Sequence, residues 1–101
     1  MTSTDLIALH KETCDKARSI MESKNHDYTD GSVDPFANFR TSEILGIPAE
    51  LGVLVRVLDK MKRIQTFVNK GTLAVKNESV NDAIEDAINY FILLKGIIAD
   101  R

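Results

Sequence analysis

Residues 48–69 read PAELGVLVRVLDKMKRIQTFVN, and their apolar side chains recur at intervals of three and four residues. This spacing is typical of an amphipathic α-helix, and the first helical position tolerates the proline. The apolar stripe consists of Leu51, Leu54, Leu58, Met61, Ile64 and Val68, widened by Val53, Val57 and Phe67. Gly71 suits a helix C-terminus. We therefore predict a helix from about Pro48 to Asn69 whose apolar surface contacts more than one neighbour.

Helical periodicity also marks a segment on each side of this stretch. Upstream, one face carries Leu6, Leu9, Thr13, Ala17 and Ile20, which predicts a helix from Ser3 to Ser23. Downstream, Ser79 to Asp82 has the spacing of a capping box, with Asp in place of Glu. A stripe then follows at helical spacing: Val80, Ala83, Ile84, Ala87, Ile88, Phe91, Leu94 and Ile98. A third helix is expected from about Ser79 to Ala99.

The segment from Lys24 to Ile47 lacks this periodicity and is rich in turn-forming residues. We predict a long connection there, with a short helix near Asn38 to Leu45. Connections of this length in compact domains are commonly functional. Its rings, Tyr28, Phe36 and Phe39, have two interpretations. Either they stack a base while Asn38 reads its edge, or they fill the core while Asn38 caps the following turn.

Length and composition indicate one all-α domain over residues 1–101. The chain is 44% apolar and 28% charged, with a net charge of −2 from interspersed residues, which disfavours disorder and a nucleic-acid polymer as partner. The beginning, Met1 to His10, lacks a signal-peptide pattern, and no apolar run is long enough to span a membrane. We expect a cytoplasmic protein, in the host cytoplasm if phage-encoded. Three helices with wide apolar arcs predict a small bundle completed by homo-oligomerisation.

The third helix carries an acidic ridge. Glu78, Asp82, Asp86 and Asn89 step by four, four and three, with Glu85 alongside. Carboxylates on adjacent turns suit Mg²⁺, which takes one or two of them together with the phosphates of a substrate. The alternative is a solvated face whose acids favour the helix N-terminus.

The polar side of the second helix mixes one acid with several cations. Arg56, Asp59, Lys60 and Arg63 share this side. Arginine and lysine bind phosphate, and Asp59 would complete a metal site facing Asp82 and Asp86. The alternative is surface pairing between residues four apart, which stabilises a helix by only about 0.2–0.5 kcal/mol.

Four pieces of the chain resemble the phage and bacterial nucleotide-modification-associated domain family. They are residues 24–28 (KNHDY), 36–39 (FANF), 52–60 (GVLVRVLDK, then Arg63 and Ile64) and 78–82 (ESVND, then Asp86, Asn89 and Tyr90). The resemblance covers roughly Lys24 to Tyr90. That family is similar to the all-α nucleoside triphosphate pyrophosphatases, the MazG-like and dimeric dUTPase group, in which acids on two facing helices hold Mg²⁺.

The resemblance implies a role for each matched residue. Asp82 and Asp86 correspond to aspartates of the last family helix, Asp59 is the acid on the partner helix, and Glu78 is a further metal ligand. Substrate contacts would come from Lys24, Asn25, Asp27, Tyr28, Asn38, Arg56, Lys60, Arg63 and Asn89. Where the pyrophosphatases carry a Glu-x-x-Glu pair, however, this chain has Arg56 and Asp59 at the two ends of the motif.

Two functions follow from this resemblance. The first is a Mg²⁺-dependent pyrophosphatase that converts a deoxynucleoside triphosphate or modified nucleotide to a monophosphate and pyrophosphate. The second is a sponge that needs no metal and sequesters a nucleotide between subunits, with a cyclic signalling nucleotide as one candidate. The replaced acid favours the second, and the retained Asp59, Asp82 and Asp86 favour the first. A helical interaction module is the third alternative.

Overall fold

The computed structural model of the chain describes residues 1–29, 34–73 and 79–101, with only the backbone for residues 26–29. It confirms an all-α fold. The elements are α1 (Ser3–Thr29), a 3-10 helix (Phe39–Leu45), α2 (Ala49–Lys70) and α3 (Val80–Ala99). Within these ranges no residue forms a β-strand. A search of the same ranges for a helix long and apolar enough to cross a membrane finds none.

The first helix is longer than predicted. It continues past Ser23 to Thr29, so Lys24 and Asn25 lie on a helix and not in a loop. The polar run after Ser23 contains no proline or glycine before Gly31. Relative to alanine, each of its residues lowers the stability of a helix by only a few tenths of a kcal/mol, about 0.7 at most. The ion pair of Lys24 with Asp86 offsets part of this loss. The expectation of an irregular connection beginning at Lys24 was therefore wrong.

The other helix boundaries agree with the predicted ones to within about one residue. The 3-10 helix occupies the predicted position before α2, and Gly46 ends it with a left-handed backbone, φ 73°. Gly71 ends α2 in the same way, with φ 76° and its N–H donating to the Phe67 carbonyl. Ser79 and Asp82 form the predicted capping box at the start of α3.

The core lies where α2, α3 and the 3-10 helix meet. It is built on Phe39, Ala49, Val53 and Ile97, with partly buried apolar residues around them. The Phe39 ring is only 4% exposed and meets the Tyr90 ring edge-on, at 6.4 Å between centroids. Phe39 is thus a core side chain, which favours the second interpretation of the rings.

The segment before the 3-10 helix is fixed to the C-terminal half of α3. Phe36 packs so closely on Gly96 that a Cβ added there would lie 2.8 Å from the ring. Arg40 donates to Asp34 at 2.9 Å and to Asp100 at 3.2 Å. The aromatic contact and the ion pair with Asp100 therefore hold the connection between α1 and α2 against the end of α3, and the pair with Asp34 links two parts of the connection itself.

Much of the predicted apolar stripe of α2 faces outward. The helix buries Ala49, Val53 and Val57. In contrast, Leu51, Val55, Leu58, Met61 and Val68 are all more than half exposed. Helix α2 contacts only α3 and the 3-10 helix among the described elements. Both neighbours lie against one side, so no described element covers the opposite apolar side.

Helix α1 contacts α3 alone among the described elements. The contact centres on Ala17, which is 1% exposed and whose carbonyl accepts a hydrogen bond of 2.9 Å from Asn89 Nδ2. Farther along α1, Lys24 reaches back to Asp86, whereas the adjacent Asn25 lines a cavity with Gly96. Earlier residues of α1 lie beside Asn81 and Glu85, and later ones lie beside Ile92 and Gly96, so the two helices run in the same direction alongside each other.

We predict that Val53→Ala lowers the free energy of unfolding by about 2 kcal/mol, because it removes two methyl groups from a closely packed site. Val53 is fully buried. Denaturant unfolding followed by circular dichroism measures the effect. Lys62→Ala, on the exposed side of the same helix, should change stability by no more than about 0.5 kcal/mol. Equal losses in both variants would contradict this assignment of the core.

Candidate functional site

The site is centred on Asp86, where charged side chains from all three long helices meet. Lys60 Nζ of α2 lies 3.2 Å from Asp86 Oδ2, and Lys24 Nζ of α1 lies 3.5 Å from Asp86 Oδ1. The side chains of Lys60 and Asp86 are 18% and 21% exposed. Partial burial strengthens such ion pairs relative to pairs in open water. We call Lys24, Lys60 and Asp86 the lysine–aspartate cluster.

A shallow concavity adjoins the cluster at the N-terminus of α3. It is lined by Lys60, Arg63, Ser79, Asp82, Ala83 and Asp86. Its volume is about 20 Å³, which is close to the space one water molecule needs. A phosphate group would therefore enter only if the lysines moved away from Asp86. The lysine chains are long and flexible enough to do so.

Asp82 is already engaged in capping its own helix. Its Oδ2 accepts from the Ser79 backbone N–H at 3.1 Å, while its own N–H donates to Ser79 Oγ at 3.1 Å. The backbone hydrogen bond from Ser79, followed by the bond to its side chain, holds the pKa of Asp82 below its usual range. The ionised form of Asp82 is thus favoured in the folded protein.

The described acids do not form a set that fits a resident Mg²⁺. Both oxygens of Asp86 face lysine ammonium groups, one oxygen of Asp82 is used in the cap, and Asp59 is exposed and outside the concavity. Within the described ranges, no three acids, histidines or cysteines lie close enough together to hold a metal. Glu78, the fourth expected ligand, lies outside those ranges. Magnesium binding therefore remains a prediction of the family resemblance.

The structure separates several residues that the sequence placed together. Arg56 lies over the Phe39 ring, 5.6 Å from its centroid, and does not line the concavity. Asn25 lines a different cavity of about 380 Å³ beside Phe36. Asn38 occupies the N-cap position of the 3-10 helix without a side-chain capping bond. The side chains of Asp27 and Tyr28 lie outside the described residues.

Asn89 was expected on the exposed acidic ridge, and that placement is wrong. Its side chain is buried, and its amide nitrogen donates to the Ala17 carbonyl. The helical spacing was correct, but α1 packs against α3 at this turn and covers it. Asn89 therefore links two helices and is not presented to a ligand in the concavity.

Lys16 and Glu85 form an ion pair that the sequence did not reveal. Lys16 Nζ lies 3.2 Å from Glu85 Oε1, and the Glu85 side chain is only 8% exposed. One signal was available, because Asn81, Glu85 and Asn89 form a polar stripe at intervals of four on α3. Such a stripe can also face solvent, so spacing alone does not indicate burial.

We compared the chain with protein-family models, curated proteins and solved structures. None of the three comparisons finds a match.

We predict that Ser79→Ala lowers the free energy of unfolding by about 1 kcal/mol, because it removes the hydroxyl that accepts the Asp82 N–H. Ser79→Thr keeps that hydroxyl and should stay near the wild type. Chemical denaturation at neutral pH measures both variants. Equal loss in the alanine and threonine variants would show that the hydroxyl cap is unimportant.

The lowered pKa of Asp82 also gives a pH dependence with a defined sign. Its stabilising contribution is present above the unfolded-state pKa and is lost as pH falls through the lower folded-state pKa. Asp82→Asn should not show this component in an acid titration of stability. An unchanged acid dependence in that variant would contradict the assignment.

Proposed function

We propose that this protein binds a nucleotide through its phosphates at the lysine–aspartate cluster and retains it without hydrolysis. The observation that carries this proposal is the convergence of Lys24, Lys60 and Arg63, from two helices, near the N-terminus of a third. Helix N-termini favour anions because their first N–H groups lack partners within the helix. Among the described residues of this region, these three cations outnumber the two acids, Asp82 and Asp86.

Asp86 supports the proposal as an internal substitute for the ligand. It holds two ammonium groups close together, where they would otherwise repel each other. A phosphate chain offers more negative charge and more acceptor oxygens than one carboxylate. We infer that phosphates exchange with Asp86 for the two lysines. The family resemblance is the reason for proposing a nucleotide as the source of these phosphates, and the proposal does not specify its base.

Hydrolysis is the second candidate, since Asp82 and Asp86 lie one helical turn apart and line the same concavity as Lys60 and Arg63. In this candidate, the pyrophosphatase of the family resemblance, the acids would take part in cleavage. Their present engagement, with Ser79 and with two lysines, favours retention. We therefore place hydrolysis second.

The deciding experiment incubates the purified protein with pooled nucleoside triphosphates and cyclic nucleotides, with and without Mg²⁺. Chromatography then resolves free species and those released from denatured protein. If the protein retains its ligand, we expect an intact nucleotide on the protein and no product, with or without Mg²⁺. Metal-dependent formation of a monophosphate and pyrophosphate would instead establish the hydrolytic candidate. Neither retention nor turnover would refute both.

We predict that Lys24→Gln combined with Lys60→Gln weakens binding of the retained nucleotide by at least about tenfold, because each lost charged hydrogen bond contributes about 1.5–3 kcal/mol. Isothermal titration calorimetry measures the affinity. Lys11→Gln is the matched control, because Lys11 pairs with Asp15 on an exposed part of α1. It should bind as the wild type does.

Asp86→Asn separates the two candidates. Under retention it removes the internal competitor for both lysines, so affinity should stay the same or rise. Under hydrolysis it should abolish turnover. A fall in affinity without any turnover in the wild type would contradict the exchange of phosphate with Asp86.

We further propose that a second copy of the chain covers the exposed side of α2. The apolar residues there are Leu51, Val55, Leu58 and Met61, at spacings of 4, 3 and 3, and each is more than half exposed. The same stripe on a second copy, packed against this one about a twofold axis, would bury these side chains in an isologous contact.

We predict that Leu58→Glu shifts the protein toward the monomer in sedimentation velocity, because it places a charge at the centre of the apolar contact. Leu58 is 61% exposed in the single chain, so its fold should survive. Ile44→Glu is the control, since Ile44 is 86% exposed and lies on the 3-10 helix. A monomeric wild type, or equal dissociation by both variants, would refute the α2 contact.

A further inference from the structure

A row of three cations runs along one side of α2. Arg56, Lys60 and Arg63 are separated by four and three residues, a spacing that places them on one face of a helix. Lys60 and Arg63 line the concavity at the N-terminus of α3. Arg56 lies one turn farther away, about 6 Å along the helix from Lys60. The cationic side of α2 therefore continues beyond the concavity.

Helix α3 follows this row with two acids and then an aromatic ring. Asp82 and Asp86 line the concavity. One turn farther along α3, Tyr90 takes the place of an acid, and its ring meets the Phe39 ring edge-on. The Arg56 guanidinium lies over that same Phe39 ring, 5.6 Å from its centroid. The row thus leads from charged pairs into aromatic surroundings.

Arg56 differs from the two lysines of the cluster, because no described acid pairs with it. Among the described residues, its guanidinium contacts the Phe39 ring and forms no ion pair. Phe39 is buried, whereas Arg56 is exposed. One side of the guanidinium is therefore held against the core, and another side is open to a ligand. An arginine that is already held in this way loses less freedom when a flat group stacks on it.

We propose that Arg56 stacks on the base of the bound nucleotide and favours a purine. This inference rests on the proposed function, in which Lys60 and Arg63 contact the phosphates. With the phosphates there, a sugar spans the single turn of α2 that leads to Arg56. Bases stack on guanidinium groups as they do on aromatic rings, and the positive charge attracts their π faces. The two fused rings of a purine offer a larger contact than the single ring of a pyrimidine.

The test separates the base from the phosphates by comparing ATP, CTP and inorganic tripolyphosphate. Each is titrated into the full chain by isothermal titration calorimetry without Mg²⁺. Tripolyphosphate carries at least as much negative charge as ATP, so charge alone would not make ATP bind more tightly. We expect the affinity to fall in the order ATP, CTP, tripolyphosphate. ATP should bind at least about fivefold more tightly than tripolyphosphate, because a stacked base contributes that much or more.

Arg56→Lys keeps the charge and removes the planar group. It should bring the ratio of ATP affinity to tripolyphosphate affinity close to one and leave the tripolyphosphate affinity nearly unchanged. Arg18→Lys is the matched control, since Arg18 is exposed on α1 and lines cavities away from the cluster. It should keep the wild-type ratio. Far-UV circular dichroism and thermal unfolding establish that each variant is folded. If Arg56→Lys does not fold, the order of the three ligands on the wild type still decides.

The outcomes distinguish this inference from the proposed function. Tripolyphosphate binding as tightly as ATP to the wild type would overturn the stacking and leave the phosphate site standing. An unchanged affinity ratio in folded Arg56→Lys would remove Arg56 from the site, and tighter binding of CTP than of ATP would refute the preference for a purine. If none of the three ligands binds, the phosphate site itself is refuted, and this inference with it.

Discussion

The structure depends on the single attachment of α1 to α3, because α1 contacts no other described element. The small side chain of Ala17 allows close approach, and the Asn89 amide donates to its carbonyl. This contact lets the rest of α1 extend over α3 in both directions. The extension brings Lys16 to Glu85 and Lys24 to Asp86. The lysine–aspartate cluster therefore depends on how α1 packs against α3.

Each acid in the N-terminal half of α3 has a different partner. Asp82 caps its helix, Glu85 meets Lys16 beneath α1, and Asp86 holds lysines from α1 and α2. A metal ion would require free carboxylate oxygens that face one point. Asp82 and Asp86 do line one concavity, but an oxygen of Asp82 accepts from Ser79 and both oxygens of Asp86 face lysines. This engagement is why we favour an anion at the lysine–aspartate cluster.

The sequence was informative wherever local backbone chemistry decided the outcome. The capping box at Ser79, the left-handed glycines at positions 46 and 71 and the bounds of α2 and α3 all follow from short-range rules. The end of α1 was misplaced, because weak helix formers without proline or glycine can still continue a helix. Helix propensity describes single residues and takes no account of the ion pair between Lys24 and Asp86, which lie sixty-two residues apart in sequence.

The sequence by itself determined an all-α chain, three long helices, apolar arcs wider than one bundle covers, and acids and cations on particular faces. Only the tertiary structure decided which of those faces meet. Periodicity places a residue around its helix axis but carries no information about which helix lies above it. For this reason Asn89 was assigned to an exposed ridge although α1 buries it, and the ion pair beneath α1 was not foreseen. The packing of α1 on α3 depends on contacts between residues far apart in sequence, and that packing positions the charges.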